Sequence, residues 1–374
     1  MNKDSLLIVG AGFGGATLAR IFAENDYKVK VIDKRDHIGG NSYDYLNENN
    51  ERIHKYGPHL LHGDANSKAI KFLSRFTKWT KYEHKVRALL SDMSTTSLPI
   101  NRNTLEHIFK IKLNDKIDTR NFLDSIRDKN IIAKNSDELF LSSVGEKLAD
   151  IFFRPYTKKM WGIDPKELDV QIGARLPVRT NRDERYFTDN FQFLPKNGYN
   201  SLFERMLDHK NIQVNLNTEF TKSMEKHYLH NFLCLPIDQY FNYCFGKLPY
   251  RSLLFENKIL KNKNLSAPQV NFTDNSSYTR MTQWDLLPNC PSKNATQHTL
   301  TYEIPVDINE NPGEYYYPVQ TQKSRMIFAQ YEDLSNQFDN ITFCGRTGLF
   351  KYIDMVPAVS IHIQKAYNFL KKVK

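Results

Sequence analysis

Apolar and polar positions divide the chain into segments of two different periods. Four consecutive apolar residues, "LLIV" at 6–9, run into Gly10 and are too few for a helix, so they predict a buried strand. "ATLARIFAEND" (16–26) then carries apolar residues at helical spacing, and "KVKVID" (28–33) reads as a second strand. Between residues 103 and 160, "TLEHIFKI", "TRNFLDSI" and "VGEKLADIFFRPYTKKMW" repeat the helical period. Segments around 80–100 and 265–335 cluster β-formers and aromatics and predict sheet. "NFLCLPIDQYF" (231–241) reads as a return to the first domain. "NITFCGRTG" (340–348) is another buried strand, followed by a helix, "IDMVPAVSIHIQKAYNFL", opening on Asp354 with Pro357 in its first turn.

The glycines between the first strand and helix are spaced Gly10-x-Gly12-x-x-Gly15. Gly10 permits the tight turn, Gly12 lets the backbone approach a pyrophosphate, and Gly15 lets helix and strand pack closely. The helix N-terminus offers unpaired N–H groups and a positive dipole end to the phosphates. Asp33 ends the second strand, where a carboxylate can accept hydrogen bonds from a ribose. A signal peptide would share the charged start and apolar run, but its removal would take away the central strand. Past Asp33, Gly39-Gly40 closes on Asn41, a second glycine pair typical of proteins that hold FAD extended; a simple turn is the plainer reading. The helix from Asp354 tips the balance, since its N-terminus, with Arg346 nearby, would stabilise an anionic reduced flavin. No second GxGxxG follows, which argues against a site for NAD(P)H as well.

The expected fold is therefore α/β, with a discontinuous Rossmann-like FAD-binding domain from 1–78, 195–250 and 336–374. A helical substrate insert spans 102–174, and an antiparallel-sheet insert takes 79–101, 175–194 and 251–335.

Composition adds constraints. The chain has 374 residues, 40% of them hydrophobic and 25% charged, which describes a globular protein with ample core. Its net charge of +10 favours anionic partners, but the basic residues are scattered and no nucleic-acid motif is present. No apolar run approaches a membrane span, so no membrane insertion and a cytoplasmic location are expected. Cys234, Cys244, Cys290 and Cys344 form no C-x-x-C pair, which fits a reducing compartment and argues against structural zinc.

Two features remain open at this level. "YGPHLLHG" (56–63) spaces His59 and His62 as zinc ligands can be, but also as loop residues can be. Short runs rich in arginine and tyrosine, "ARLPVR" (174–179), "RYF" (185–187), "YTR" (278–280), "YYYPV" (315–319) and "KYIDM" (351–355), suit a diphosphate, although each alone is ordinary structure.

"IDKRDHIGGN", "YGPHLLHG", "LPIN" (98–101), "YTKKMWG" (156–162), "LPVR", "YRSL" (250–253), "YYPV" and the "GR…KYIDM" ending occur in order along nearly the whole chain. Together they resemble the bacterial UDP-galactopyranose mutase family. The resemblance implies an FAD enzyme that interconverts pyranose and furanose forms of a nucleotide-diphospho-hexose, UDP-galactose foremost, for surface polysaccharide biosynthesis. In that family the flavin must be reduced, and its N5 attacks the anomeric carbon while the diphosphate leaves and returns. An external reductant and a homodimer are expected with it.

By position, Arg175 and Arg280 resemble the diphosphate arginines, and Tyr186, Tyr317 and Tyr352 the phosphate-binding tyrosines. Phe152, Tyr156 and Thr157 match the nucleoside-binding helix, Trp161 a mobile loop that closes over substrate, and His84 and Asn271 further substrate contacts. Gly10, Gly12, Phe13, Gly15, Asp33, Lys34, Gly40, Asn41, His59, Leu60, Arg346, Asp354 and Met355 match cofactor contacts. His62 is implied as a catalytic histidine beside the flavin, and the metal reading of the pair loses ground.

Departures from the family pattern concentrate near the expected sugar and nucleotide. This chain has "HLLHG" for "HIFHT", "MTQWD" (281–285) for an acid-and-histidine segment, Phe193 for glycine, His84 for asparagine, and Asp33 for glutamate. Bulkier apolar residues would suit a deoxy sugar. dTDP-fucose and UDP-N-acetylgalactosamine are therefore alternatives as substrate. A flavin amine oxidase or dehydrogenase, or a non-catalytic binding protein, would share the same nucleotide-binding start.

Overall fold

In the computed structural model, which describes residues 5–173, 177–261, 265–292 and 296–373, the strand Ser5–Val9 lies at the centre of a five-stranded sheet. The order is Ile212–Asn215, Lys28–Ile32, Ser5–Val9, His230–Leu233, Ile341–Phe343, and every neighbouring pair is parallel. Leu6, Leu7 and Ile8 are buried, as befits a strand covered on both faces, so its apolar run is continuous rather than alternating. The helix Phe13–Ala23 covers it, and Phe22 meets Phe232 at 4.8 Å and Phe369 of the helix Met355–Val373 at 5.4 Å. Strand order reverses between Ser5–Val9 and His230–Leu233, and the carboxyl ends at such a point form the usual ligand crevice of an open α/β sheet. The architecture is the expected Rossmann-like one, with a separate, largely antiparallel sheet.

The chain forms two compact units. The first takes the chain up to Tyr82, then Asp189–Pro249, then everything from Gln322; the second takes Glu83–Thr188 and Tyr250–Thr321. The strands Trp79–Lys81 and Phe191–Pro195, given to the sheet insert from sequence except for Pro195, form a three-stranded sheet with Leu61–Gly63 in the first unit, in which Phe191–Pro195 is central and pairs with both. Residues 322–335, where sheet was expected, form the helix Gln322–Ser335. Its anchor is tertiary: buried Tyr331 donates its hydroxyl to the Gly246 carbonyl (2.8 Å) and accepts from the Phe245 N–H (3.0 Å).

The second unit holds a seven-stranded sheet, ordered Tyr317–Pro318, Tyr250–Lys261, Gln297–Asp307, Arg280–Gln283, Gln269–Phe272, Val86–Leu89, Thr95–Leu98. All its pairings are antiparallel except Gln269–Phe272 with Val86–Leu89. Helices Arg102–Phe109, Lys116–Ile126 and Ser136–Val144 surround a core that includes Leu105, Leu123, Phe140, Leu148 and Phe152. The continuous helix expected over 144–161 is interrupted by a π turn at Ala149–Phe153 before Arg154–Trp161. Pro155 is the physical cause, because it lacks an N–H and its ring would strike the carbonyl four residues back in a regular α-helix.

Candidate functional site

In the first unit the glycine loop is a closed backbone construction. The Gly10 N–H donates to the Ile32 carbonyl (2.7 Å), and the Ala16 N–H to that of Gly12 (2.9 Å). A β-carbon on Gly15 would lie 1.8 Å from the Gly10 carbonyl oxygen, so no other residue fits there. Gly12 caps the helix Phe13–Ala23 without any side-chain hydrogen bond, leaving the first-turn N–H groups for a ligand. The Gly39-Gly40 pair folds back on this loop: the Gly39 N–H donates to Ala11 (2.9 Å), and a Gly40 β-carbon would meet the Gly12 α-carbon at 3.0 Å. Phe13 is buried behind it, 4.7 Å from the Phe203 ring.

Asp33 uses both of its carboxylate oxygens on the backbone around it. Its Oδ2 accepts from the Ala11 N–H (2.7 Å) and its Oδ1 from the Arg35 N–H (3.0 Å), which ties the glycine loop to the end of the second strand. Arg35 in turn donates to Asn41 Oδ1 (2.8 Å) and lies 4.3 Å from the Tyr56 ring, while Lys34 is exposed. Sequence reasoning passed over Arg35, although it sits between two residues that were singled out.

His59 and His62 sit in separate networks within this unit. His59 donates its N–H to His54 Nδ1 (3.0 Å), its ring Nδ1 is 2.8 Å from the Gly57 carbonyl, and its own carbonyl accepts from the Tyr199 hydroxyl (3.0 Å). His62 Nδ1 lies 2.9 Å from Asp189 Oδ2. Leu60, between them, is half-buried. Among the described residues neither histidine belongs to a trio of side chains spaced to hold an ion. The residue after His62, Gly63, packs on Val356, 3.2 Å from a β-carbon placed there. The histidine loop therefore touches the N-terminus of the helix Met355–Val373, whose preceding residue is Asp354. Arg346 reaches the Ile353 carbonyl (3.0 Å) and lies 4.7 Å from the Tyr352 ring, so Tyr352 belongs to this unit.

In the second unit, register builds a polar row. Arg280 stands opposite Glu303 on one side and Asn271 on the other. Arg280 Nε lies 3.0 Å from Glu303 Oε2, and the Glu303 side chain is only 2% exposed. Burial works against the Arg280 charge, but Glu303 and then the phenols of Tyr156, Tyr317 and Tyr186 outweigh it, keeping the guanidinium fully charged. The second oxygen of Glu303, Oε1, is buried with no hydrogen-bond partner among the described residues. Glu303 carries no motif and escaped the sequence reading; only strand register reveals it.

His84 is buried, and burial lowers its pKa to about 3, so it is neutral. Its Nε2 lies 3.3 Å from Gln269 Oε1, and Gln269 Nε2 donates to Asn271 Oδ1 (2.9 Å). Assigned from this network, His84 donates to Gln269, Gln269 donates to Asn271, and the Asn271 amide keeps its own N–H groups as donors. Tyr186 packs edge-on to His84, with ring centroids 5.9 Å apart. Trp161 meets Tyr317 at 6.1 Å. Thr157 is buried, whereas Phe152 lies in the hydrophobic core of this unit. Arg251, also unnoticed in sequence, donates to the Met160 (3.1 Å) and Lys159 (3.3 Å) carbonyls and so caps the helix that carries Trp161. Arg175 lies outside the described residues.

Known proteins resemble this chain over its full length. A probable UDP-galactopyranose mutase of Klebsiella pneumoniae is 34% identical over 376 residues, covering 100% of this chain and 96% of that protein. The UDP-galactopyranose mutase profile matches residues 151–352. The chain belongs to the UDP-galactopyranose mutase family. It is thus an isomerase of that family, and residues 8–76 match the NAD(P)-binding Rossmann-like domain profile. The dTDP-fucopyranose mutase of Escherichia coli is equally similar, 34% identical over 384 residues with 100% of both chains covered. A crystal structure of reduced UDP-galactopyranose mutase shares the fold, with a TM-score of 0.77 at 17% identity over 98% of this chain and 96% of that one. A putrescine oxidase variant shares it more distantly, with a TM-score of 0.58 at 13% identity over 98% and 99% of the two chains.

Proposed function

We propose that this mutase interconverts the pyranose and furanose forms of UDP-galactose, with FAD as its cofactor. The observation that carries the reading is the half-buried, charged Arg280 set among Glu303, Tyr156, Tyr186 and Tyr317. A guanidinium ringed by phenols suits a diphosphate that must leave a sugar and return without escaping. The first unit fits FAD: the bare helix N-terminus at Gly12, the close approach of Gly40, and Asp33 together form a cradle that a β-carbon would fill. When bound in reduced form, FAD would supply the nucleophile for the anomeric carbon.

The protein's own groups do the rest. Gly10, Gly12, Gly15, Gly40 and Asn41 would hold the pyrophosphate and ribose of the cofactor, and Arg346, Asp354 and Met355 its ring. Arg280 stabilises the departing diphosphate, while Tyr156, Tyr186 and Tyr317 donate hydroxyls to it. Asn271, oriented through Gln269 and His84, donates to the substrate. Thr157 flanks the base, and Phe152 supports its helix from the core. Trp161, on a helix whose end Arg251 secures, excludes water from a hydrolysable state. Asp189 orients His62 by binding its Nδ1.

A second substrate, dTDP-fucopyranose, is favoured by the equal identity to the Escherichia coli enzyme of that name and by Phe193, whose ring lies 4.2 Å from Phe191. Chromatography of dithionite-reduced enzyme with UDP-galactose, UDP-N-acetylgalactosamine and dTDP-fucose, each alone, separates the readings. Furanose product from UDP-galactose with the highest kcat/KM is expected, with no reductant consumed per turnover. A preference for dTDP-fucose moves the assignment to that sugar. Turnover by oxidised enzyme with stoichiometric peroxide would indicate an oxidase instead.

A further inference from the structure

We propose that Cys234 and Cys344 form an oxidation-sensitive thiol pair whose disulfide loosens the adjoining glycine loop and releases its dinucleotide. The second half rests on the reading of that loop as a cofactor site. Cys234 directly follows the strand His230–Leu233, and Cys344 directly follows Ile341–Phe343. These strands are parallel neighbours with Leu233 opposite Phe343. The two cysteines are the next residues in that register, and both stay tied to the sheet, the Cys344 N–H donating to the Leu233 carbonyl (2.8 Å) and the Cys234 N–H to that of Val9 (2.9 Å).

The two cysteines therefore occupy paired positions at the carboxyl ends of adjacent strands. Neighbouring strands lie about 4.8 Å apart, within the roughly 4.4–6.8 Å between α-carbons that a disulfide spans. Paired positions also point their side chains to the same face. A hydrogen bond to Cys344, reinforced by burial, holds the Cys234 thiol well above the ordinary thiol range, as expected for two sulfurs in contact.

What surrounds the pair gives it a consequence. A β-carbon on Gly10 would lie 2.9 Å from the Cys234 β-carbon, so Cys234 is the direct backing of the loop's first glycine. A β-carbon on Gly345 would lie 3.4 Å from Cys234 Sγ, which places that sulfur toward the end of the Cys344 strand. His362 closes another side: its Nε2 accepts from the Gly345 N–H (2.9 Å), and its Nδ1, 2.6 Å from the Ala358 carbonyl, carries the proton. The same ring stands 2.8 Å from a β-carbon placed on Gly14. Bringing the sulfurs to about 2.05 Å draws Cys234 toward Cys344 and takes away the support behind Gly10.

The oxidant is a small organic disulfide. Cys234, the partly exposed member, loses its proton, and its thiolate attacks one of the reagent's sulfurs and expels a thiolate that takes that proton up as a thiol. Cys344 then displaces the second half as another thiol. Two cysteine thiols lose two electrons and two protons in all, and one reagent disulfide becomes two thiols.

The test treats flavin-loaded and flavin-stripped protein with oxidised glutathione, followed by alkylation, digestion without reduction and peptide mass mapping. A linked Cys234–Cys344 peptide is expected, forming about fivefold faster in stripped protein because bound cofactor shields Cys234. Oxidised protein should bind FAD about tenfold more weakly, with recovery on dithiothreitol. Cys344→Ser and Cys234→Ala should abolish both effects, while Cys244→Ser, which alters an exposed thiol, keeps them. Alkylation of both cysteines after oxidation overturns the pair. A linked peptide with unchanged FAD affinity overturns the coupling. If reduced protein binds no FAD, the cofactor reading and the coupling both fail, and the peptide map still judges the pair.

Discussion

Arg280 and His84 show how burial gives single residues in the second unit opposite electrostatic fates. Arg280 keeps its charge because Glu303 stands 3.0 Å away, so Arg280→Ala should lower kcat at least about 100-fold, the usual cost of losing a preorganised charge on a developing anion. Bound flavin absorbance should stay unchanged; loss of flavin would place Arg280 elsewhere. Glu303→Ala, which leaves a half-buried guanidinium without its counter-charge, should cost about 1–3 kcal/mol of stability in urea unfolding. His84, shut off from solvent, is held neutral by burial with a pKa of about 3. Its folded value is depressed, so below the usual 6.5 the unfolded chain binds a proton that the folded chain refuses. Stability should therefore fall by up to about 1.4 kcal/mol per pH unit from 6.5 toward 3, and His84→Asn should flatten that slope between pH 6.5 and 5. Equal slopes in the two proteins would mean that His84 titrates normally.

At the scale of elements, the glycine loop and the helix carrying Trp161 are the parts that chain geometry constrains most. Gly15→Ala would drive a methyl group to 1.8 Å from the Gly10 oxygen, forcing strand and helix apart. The expected result is protein that purifies without flavin and melts several degrees lower. Gly162 ends the helix Arg154–Trp161 at φ +70°, and a β-carbon there would lie 2.8 Å from Arg251 Nη1. Gly162→Ala should cost about 1 kcal/mol through the left-handed backbone alone, measurable in urea. The periodicity of residues 144–161 foretold this helix but not its π turn, because the pattern of apolar positions survives a one-residue bulge that Pro155 imposes. The helix Gln322–Ser335 was misread for the opposite reason. Its stabilising contacts, through Tyr331 to residues 245 and 246, are far away in sequence.

For the molecule as a whole, the net charge of +10 and the two-unit organisation have separate consequences. A positive field attracts anionic nucleotide sugars at low ionic strength, so kcat/KM should decline as salt rises from 50 to about 300 mM, through association rather than chemistry. If FAD binds the folded chain and not the unfolded one, a concentration near 100 times its Kd should add about 2.7 kcal/mol to unfolding.

The sequence alone determined the Rossmann-like start, the second glycine pair and the long C-terminal helix. These features depend on local rules: glycine where the backbone must approach closely, apolar runs where both faces are covered, a helix where the period is 3.6. The ordered motifs were specific enough to carry the family. Tertiary structure decided the partners. Glu303 opposite Arg280, Asp189 on His62, Arg251 on the Trp161 helix and Cys234 beside Cys344 each join distant segments through strand register or end capping. Pairing of that kind is set by which strands lie side by side, and no local propensity encodes it.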